Sequence, residues 1–220
     1  MVFLSLPMKA LLQQHRHLWT QRAYVISAII GIDIFFVGLA CLMGARHYLS
    51  DTNIHTLSSP DFFLDILPTT SVENVLVWGI PVLFCFAVCA LLLHPERIPF
   101  SLKTMGALFF IRAFFVVLTP MGIRPDQAVT VSKGFLQGLA YSSNDFFFSG
   151  HVAFPFLLAL IFWNVRWIRL IMFFISVIFG VSVLLAHTHY SIDVFAVPFI
   201  VPTIYRLCTS FFRKDMAWKK

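Results

Sequence analysis

The chain has 220 residues, of which 59% are hydrophobic and 12% are charged, and its mean hydropathy is +0.85. Soluble domains carry about 25% charged residues, so this composition excludes an ordinary water-soluble domain and indicates a membrane protein. The formal net charge is +6, but the 16 Lys and Arg are scattered beside apolar runs and form no basic face, which argues against nucleic-acid binding.

Six apolar segments are predicted to cross the membrane as helices. In chain order they cover residues 23–43, 74–93, 100–118, 149–163, 167–186 and 191–212. The predicted fold class is all-α, a polytopic membrane protein with a bundle of six transmembrane helices, and Pro198 and Pro202 predict a kink in the sixth. Residues 1–22 are expected to form a cytoplasmic amphipathic segment, residues 23–212 the membrane domain, and residues 213–220 a basic cytoplasmic tail.

Asp33 and Arg112 are charged residues well inside the first and the third predicted span. A charge at mid-membrane depth costs about 3 kcal/mol on insertion scales, so Asp33 in the first span is expected to face the bundle and to have a partner. Arg112 lies in the third span, about 10 Å from its end. It is expected either to pair with Asp33 or Asp145, or to line a polar cavity and contact a lipid phosphate.

The distribution of basic residues predicts the orientation of the chain. With six spans, both termini and the turns near residues 97 and 166 share one side of the membrane and carry twelve of the 16 Lys and Arg. The other side carries Arg46, Arg124 and Lys133. Cytoplasmic loops are enriched in Lys and Arg, so the termini are expected to be cytoplasmic.

Two polar motifs flank the long apolar stretch at residues 152–186. A Ser-Gly-His motif occupies residues 149–151, and a His-Tyr-Ser-Ile-Asp motif occupies residues 189–193. The stretch is long enough for two crossings of about 17–20 residues, and two crossings return the chain to the side that it left. The polar side chains of both motifs are therefore predicted to meet at the exterior or lumenal face, opposite the termini.

These residues suit phosphoryl transfer. Asp193, four residues after His189, can accept a hydrogen bond from one ring nitrogen, which fixes the tautomer and stabilises the imidazolium. Histidine can itself attack phosphorus and carry the phosphoryl group. His151 opens a predicted helix behind Ser149 and Gly150, where backbone N–H groups can bind a phosphate, and it can donate a proton to a leaving alkoxide.

The same residues leave two other interpretations open. In a non-catalytic lipid transporter or scaffold they would serve as polar packing. A metal site could instead use four potential ligands: His151, His187, His189 and Asp193. The four cysteines fall inside apolar runs without the spacing of a zinc site, so no metal and no cofactor is predicted.

Four segments carry a resemblance to a known family. They are Asp-x-x-x-Ser-Gly-His at residues 145–151, His-Tyr-Ser-x-Asp-Val at 189–194, Phe-x-x-Arg with a later Thr at 109–119, and Ser-Pro-Asp at 59–61. Over about residues 25–212 the chain resembles the sphingomyelin synthase family, a branch of the type 2 phosphatidic acid phosphatase (lipid phosphate phosphatase) superfamily. The phosphatase branch has an arginine just before its second His segment. Here Val183 follows Ser182, which favours the synthase branch.

The resemblance implies a reaction and a role for each residue. His189 would take phosphocholine or phosphoethanolamine from a glycerophospholipid, Asp193 would orient it, and His151 would protonate the departing diacylglycerol and later act as base. The acceptor would be ceramide or a similar lipid alcohol, whereas water would make the site a lipid phosphate phosphatase or phospholipase C-like hydrolase. The expected partners are these lipids and the membrane, and the sequence leaves a homo-oligomer open. The residues expected to bind substrate are Arg112, Asp145, Ser149, Gly150 and Tyr190.

Overall fold

The computed structural model describes residues 8–51, 58–127 and 146–219, which form helices and connecting turns with no β-strand among them. The helices are α1 (Met8–Thr20), α2 (Arg22–Asp51), α3 (Phe62–Ile66), α4 (Glu73–Leu93), α5 (Ile98–Leu118), α6 (Gly150–Ile161), α7 (Arg166–Leu185), α8 (Ser191–Phe195) and α9 (Val197–Phe211). Two 3-10 turns, Pro95–Arg97 and Arg213–Lys219, precede α5 and follow α9. The all-α prediction is confirmed.

Within the described residues, five helical stretches are long and apolar enough to cross a membrane. They are α2, α4, α5 with the turn before it, α7, and α8 together with α9. The segment predicted as the fourth span forms the 12-residue α6, about 18 Å long and shorter than the hydrocarbon core of a bilayer. Counted with α6, the helices agree roughly with the predicted six.

The sixth predicted span is broken at the position that its prolines indicate. α8 ends at Phe195 and α9 begins at Val197, with Ala196 between them. Pro198 lies in the first turn of α9, where its missing N–H breaks no intrahelical hydrogen bond. The interruption between the two helices lies beside Pro198, one of the two prolines from which the kink was predicted.

α2 and α5 form the closest helix pair in the bundle. Gly38 of α2 lies directly against the backbone of Gly106 in α5, and a Cβ atom on either glycine would collide with the carbonyl oxygen of the other helix. Small residues at a membrane helix interface let two backbones approach in this way. The close approach sets the position of α5, which carries Arg112.

The expectation that Asp33 faces the bundle is wrong. The Asp33 side chain is exposed on the outer surface of α2. Gly31 and Gly38 make the α2 contacts with α5, and Asp33 lies two residues after Gly31, on the far side of a helix with 3.6 residues per turn. Backbone packing on one face of α2 therefore decides which way Asp33 points.

The α6–α7 hairpin brings the two histidine motifs to one end of the bundle. α6 leaves this end at Gly150, the chain turns at residues 162–165, and α7 returns to Leu185. The Ser176 hydroxyl of α7 donates a hydrogen bond to the Val152 carbonyl of α6 (2.9 Å) and fixes the two helices near that end. We call it the motif end, and the opposite one, with the turns at residues 94–97 and 162–165, the turn end.

Candidate active site

The Ser-Gly-His motif lies where α6 begins. His151 is in the first turn of α6, and its side chain is 6% exposed. The Ser149 amide donates a hydrogen bond to the Asp193 carbonyl oxygen (3.0 Å), which joins the two motifs through their backbones. The first N–H groups of a helix have no partner within the helix, so this end of α6 is suited to bind an anion.

His189 and Asp193 form a hydrogen-bonded pair. Nδ1 of His189 lies 3.1 Å from Oδ2 of Asp193, whose side chain is fully buried. The same carboxylate accepts hydrogen bonds from the amides of Tyr190 (3.1 Å) and Phe147 (3.2 Å). An ionised carboxylate can only accept, so the shared proton is on Nδ1 and the lone pair of the neutral ring is on Nε2.

The pair has a different geometry from the one that its spacing suggests. His189 precedes α8, whereas Asp193 lies in the first turn of that helix. The Asp193 carboxylate caps the start of α8 and therefore points back to the residues before the helix. The contact is made across a helix N-terminus and not along one helical face.

The two imidazoles lie side by side, as the even number of crossings predicts. The ring centroids of His151 and His189 are 6.4 Å apart, and the ring planes meet at 69°. Phe179 packs edge-on against His151 (5.7 Å between centroids), and Phe146 packs in the same way against His189 (6.2 Å). One phosphate between the rings can contact a nitrogen of each, so the pair can serve as nucleophile and general acid.

Arg112 reaches the same place from α5. Its Nε donates a hydrogen bond to the Phe148 carbonyl oxygen (2.7 Å), and its side chain is 3% exposed. The guanidinium lies against Gly150, where an added Cβ would be 3.1 Å from the Arg112 Cζ. Glycine at this position leaves room for a positive charge beside the first turn of α6.

The loop before α3 is hydrogen-bonded to the His-Tyr-Ser-Ile-Asp motif. Asp61 caps α3 by accepting hydrogen bonds from the Phe63 and Leu64 amides, and it also accepts one from the Ser191 amide (2.7 Å). Burial alone would raise the pKa of the Asp61 carboxyl, but these hydrogen bonds outweigh it and hold the pKa below its ordinary value. In the sequence, Asp61 was recognised only as part of the Ser-Pro-Asp segment. No sequence pattern predicted its hydrogen bond with Ser191.

Tyr190 makes further contacts between this motif and the surrounding loops. Its side chain is 2% exposed, and its hydroxyl donates a hydrogen bond to the Gly122 carbonyl (2.7 Å) and accepts one from the Ser59 amide (3.1 Å). Tyr190 therefore ties two loops to the His-Tyr-Ser-Ile-Asp motif in this structure, beside the imidazole pair. Asp145, expected to bind substrate, lies outside the described residues.

A second polar cluster, which sequence reasoning missed, joins three loops at the motif end. We call it the loop latch: Asp65, Arg124, Asp126 and His187. Arg124 bridges Asp126 (2.9 Å) and Asp65 (3.0 Å), and Nδ1 of His187 lies 2.8 Å from Asp126 Oδ2. The hydrogen bond from Arg124, with one from His187, lowers the pKa of Asp126 to about 2.

The described part of the chain contains no group of three or more His, Cys, Asp or Glu side chains arranged to hold a metal ion. His187, the ligand that the metal interpretation needs beyond the three site residues, is engaged through Nδ1 with Asp126 and Thr69. Its Nε2 is buried without a hydrogen-bond partner among the described residues.

Residues 142–210 match the family described as PAP2 superfamily C-terminal. The matched stretch contains both histidine motifs. No curated protein and no solved structure matches the chain significantly. Over this part of the chain the protein is thus similar to the type 2 phosphatidic acid phosphatase superfamily, whose members are phosphatases and phosphotransferases. The five apolar helices agree with an integral membrane protein of this general kind.

Proposed function

We propose that the chain is a membrane phospholipid headgroup phosphotransferase similar to the sphingomyelin synthases, and that it works through a phosphohistidine at His189. The observation that carries the proposal is the pair of imidazoles with centroids 6.4 Å apart, one of which is hydrogen-bonded to the buried Asp193. A nucleophile with its orienting carboxylate, and a separate acid beside it, are the two parts that such a displacement needs.

In the first half-reaction, Nε2 of His189 attacks the donor phosphorus. A P–N bond forms, the P–O bond to diacylglycerol breaks, and His151 donates a proton to the departing alkoxide. Phosphorylation at Nε2 leaves the proton on Nδ1, so the ring becomes cationic. Asp193 accepts the Nδ1 hydrogen bond and stabilises that charge.

In the second half-reaction, the now neutral His151 removes the proton from the acceptor hydroxyl. The acceptor oxygen forms a bond to phosphorus, and the P–N bond breaks to regenerate His189. We infer that the acceptor is ceramide or a similar lipid alcohol and that the transferred group is phosphocholine or phosphoethanolamine. This inference rests on the resemblance to the sphingomyelin synthases.

The phosphoryl oxygens of the substrate need hydrogen-bond donors that keep their protons throughout the reaction. Arg112 supplies a permanent positive charge beside Gly150, and the N-terminal turn of α6 supplies backbone N–H groups. The Ser149 hydroxyl is buried without a hydrogen-bond partner among the described residues, so its O–H is available to a bound phosphate. These groups are proposed to bind the substrate phosphate, with Asp145 proposed to complete the site.

Hydrolysis is the second candidate function because the matched superfamily includes phosphatases. The same His151, His189 and Asp193 would act, and water would replace the lipid alcohol in the second half-reaction. Release of phosphocholine would be phospholipase C-like activity, and release of phosphate from phosphatidic acid would be phosphatase activity.

Product analysis with phosphatidylcholine labelled in its headgroup distinguishes these functions. The detergent-purified chain is incubated with the labelled lipid, with and without ceramide. Transfer predicts label on the ceramide product only when ceramide is present. Labelled phosphocholine in both reactions, with no ceramide product, would instead identify a hydrolase.

The His189→Ala variant serves as the blank for each reaction. Phosphatidylethanolamine and phosphatidic acid are tested in parallel, so that a different headgroup preference is not mistaken for inactivity. No product from any of the three lipids would contradict both enzymatic functions and favour the non-catalytic lipid transporter or scaffold.

A further inference from the structure

A cavity with both apolar and polar lining residues lies at the turn end of the bundle, away from the imidazole pair. Its volume is about 400 Å³, and it is lined by the end of α6 and the turn after it, by the middle of α9, and by the 3-10 turns before α5 and after α9. Its polar lining comes from Arg97, Asn164, Tyr205 and Arg206. Ile161, at the cavity, lies ten residues after His151 on α6, which separates the two by about 15 Å along the helix.

Arg97 forms the inner wall of this cavity. Its side chain is buried, Nη1 donates a hydrogen bond to the Ile161 carbonyl (2.5 Å), and the guanidinium carbon lies 5.1 Å from the centre of the Phe162 ring. Nε is 3.4 Å from Glu96 but makes no hydrogen bond within the described residues. The guanidinium is thus held rigidly with part of its donor capacity unused.

The lining contains two arginines and no carboxylate. Glu96, whose carboxylate lies 3.4 Å from Nε of Arg97, also accepts a hydrogen bond from Gln14 (3.0 Å) and contacts His94 (3.4 Å), so its negative charge is shared among three groups. The Arg206 guanidinium is exposed and makes no hydrogen bond or ion pair with any part of the chain that the structure describes. A net positive charge therefore remains at the mouth of the cavity.

The rest of the cavity wall suits an amphiphile. Leu160, Pro202 and Met216 are among its apolar lining residues. Trp163, half exposed, lines the cavity with Arg169 stacked over its indole at 4.7 Å, an aromatic–cation pair typical of the level where a membrane meets water. Basic pockets between membrane helices are recurrent sites for anionic headgroups.

From this cavity we propose a second binding site, at the turn end, for a phosphate group of net negative charge that is carried by an anionic lipid headgroup or free in solution. Arg206 provides the charge that is not neutralised within the described chain, and Arg97 provides the rigid guanidinium behind it. Arginine is suited to this role because its fork of N–H donors matches phosphate oxygens. The site is separate from the proposed reaction and does not depend on it.

Thermal unfolding of the full purified chain tests the proposal. The midpoint is followed against dioctanoyl phosphatidylglycerol, dioctanoyl phosphatidylcholine and inorganic phosphate at constant ionic strength. The readout is the shift that depends on Arg206, since the active site can also bind lipid. We expect Arg206→Gln to weaken phosphatidylglycerol binding by about tenfold, the effect of losing one charge-assisted hydrogen bond.

Arg213→Gln is the matched control because Arg213 is an exposed arginine near the same end that does not line the cavity. It should bind phosphatidylglycerol as the wild type does. The loss caused by Arg206→Gln should be the same in a His189→Ala background, because His189 lies at the motif end. Arg206→Gln should unfold at the wild-type temperature without ligand, because the native guanidinium makes no contact that folding needs.

The arms of the experiment separate the two sources of phosphate. An Arg206-dependent shift with phosphatidylglycerol alone identifies a lipid headgroup, and the same shift with inorganic phosphate identifies a free anion. The proposal is overturned if phosphatidylcholine gives an equal Arg206-dependent shift, or if Arg206→Gln binds phosphatidylglycerol as tightly as the wild type. Equal losses in Arg206→Gln and Arg213→Gln would also overturn it, since they would indicate general surface charge.

Discussion

At the scale of single residues, the orientation of His189 depends on the Asp193 carboxylate, which is held in place by other hydrogen bonds. The Asp193 carboxylate contacts His189 and accepts hydrogen bonds from two backbone amides. Its position is therefore set by the backbone as well as by the imidazole. A buried carboxylate with three donors has little freedom to turn. The His189 ring is therefore held with Nε2 directed away from Asp193.

The proposed roles of the imidazoles predict large losses on truncation. His189→Ala removes the proposed nucleophile and His151→Ala the proposed acid, so each should lower turnover by about 10³-fold or more in the labelled-lipid assay. His17→Ala is the control, because His17 is an exposed histidine of α1. Near-normal headgroup transfer by either site variant, in protein that unfolds at the wild-type temperature, would refute the assignment.

At the scale of elements, the α2–α5 pair determines how deeply Arg112 is placed. Gly38→Ala would drive a methyl group into the Gly106 backbone, which cannot yield as a flexible side chain can. We expect a loss of several kcal/mol, as for overpacking against a rigid neighbour, measured as a lower thermal unfolding midpoint.

Gly44→Ala is the matched control for this substitution. It lies on the same helix, and no atom lies within 4 Å of its added Cβ. Alanine should be neutral there or stabilise the helix by about 0.5–1 kcal/mol. Equal midpoints for the Gly38 and Gly44 variants would contradict the close approach of α2 and α5.

The loop latch predicts a dependence of stability on pH. The folded pKa of Asp126, about 2, lies below its ordinary value of 3.8, so its ionised form stabilises the fold above pH 3.8. That stabilisation is lost as the pH falls from 3.8 towards 2. The unfolding midpoint of Asp126→Asn should therefore be lower than that of the wild type at pH 7, and the two should converge near pH 2.

The comparison with Asp126→Asn isolates the latch because asparagine resembles the protonated acid in shape and charge. Groups far from Asp126 titrate equally in both proteins and cancel in the difference. A difference in midpoint that stays constant from pH 7 to pH 2 would mean that the Asp126 carboxylate is not held by Arg124 and His187.

At the scale of the whole molecule, the twelve-to-three division of basic residues predicts that the motif end faces away from the cytoplasm. Single cysteines test this in a cysteine-free background. In right-side-out vesicles, a membrane-impermeant maleimide should label Ser58→Cys and should label Lys214→Cys only after permeabilisation. Both positions are exposed in the fold, so the membrane is the barrier being measured. The reverse pattern would place the imidazoles on the cytoplasmic side.

Much of the architecture could be predicted because its signals are local. Runs of apolar residues indicate membrane helices wherever they pack, and Pro198 interrupts a helix by its own covalent structure. The proximity of His151 to His189 followed from the length of the apolar stretch between them, since two crossings return a chain to its starting side. These properties of the protein are set by the amino-acid sequence alone.

Other features of the protein depend on which helices and loops pack against each other in the folded chain. Asp33 points outward because the glycines of α2 pack against α5, and nothing in its own neighbourhood indicates that. Asp61, Asp126 and Arg124 acquire partners from segments far away in the chain. Arg97 and Arg206 line one cavity only because the 3-10 turn before α5 lies beside α9. Contacts between distant segments are not encoded in any local pattern of residues, so only the tertiary structure decided them.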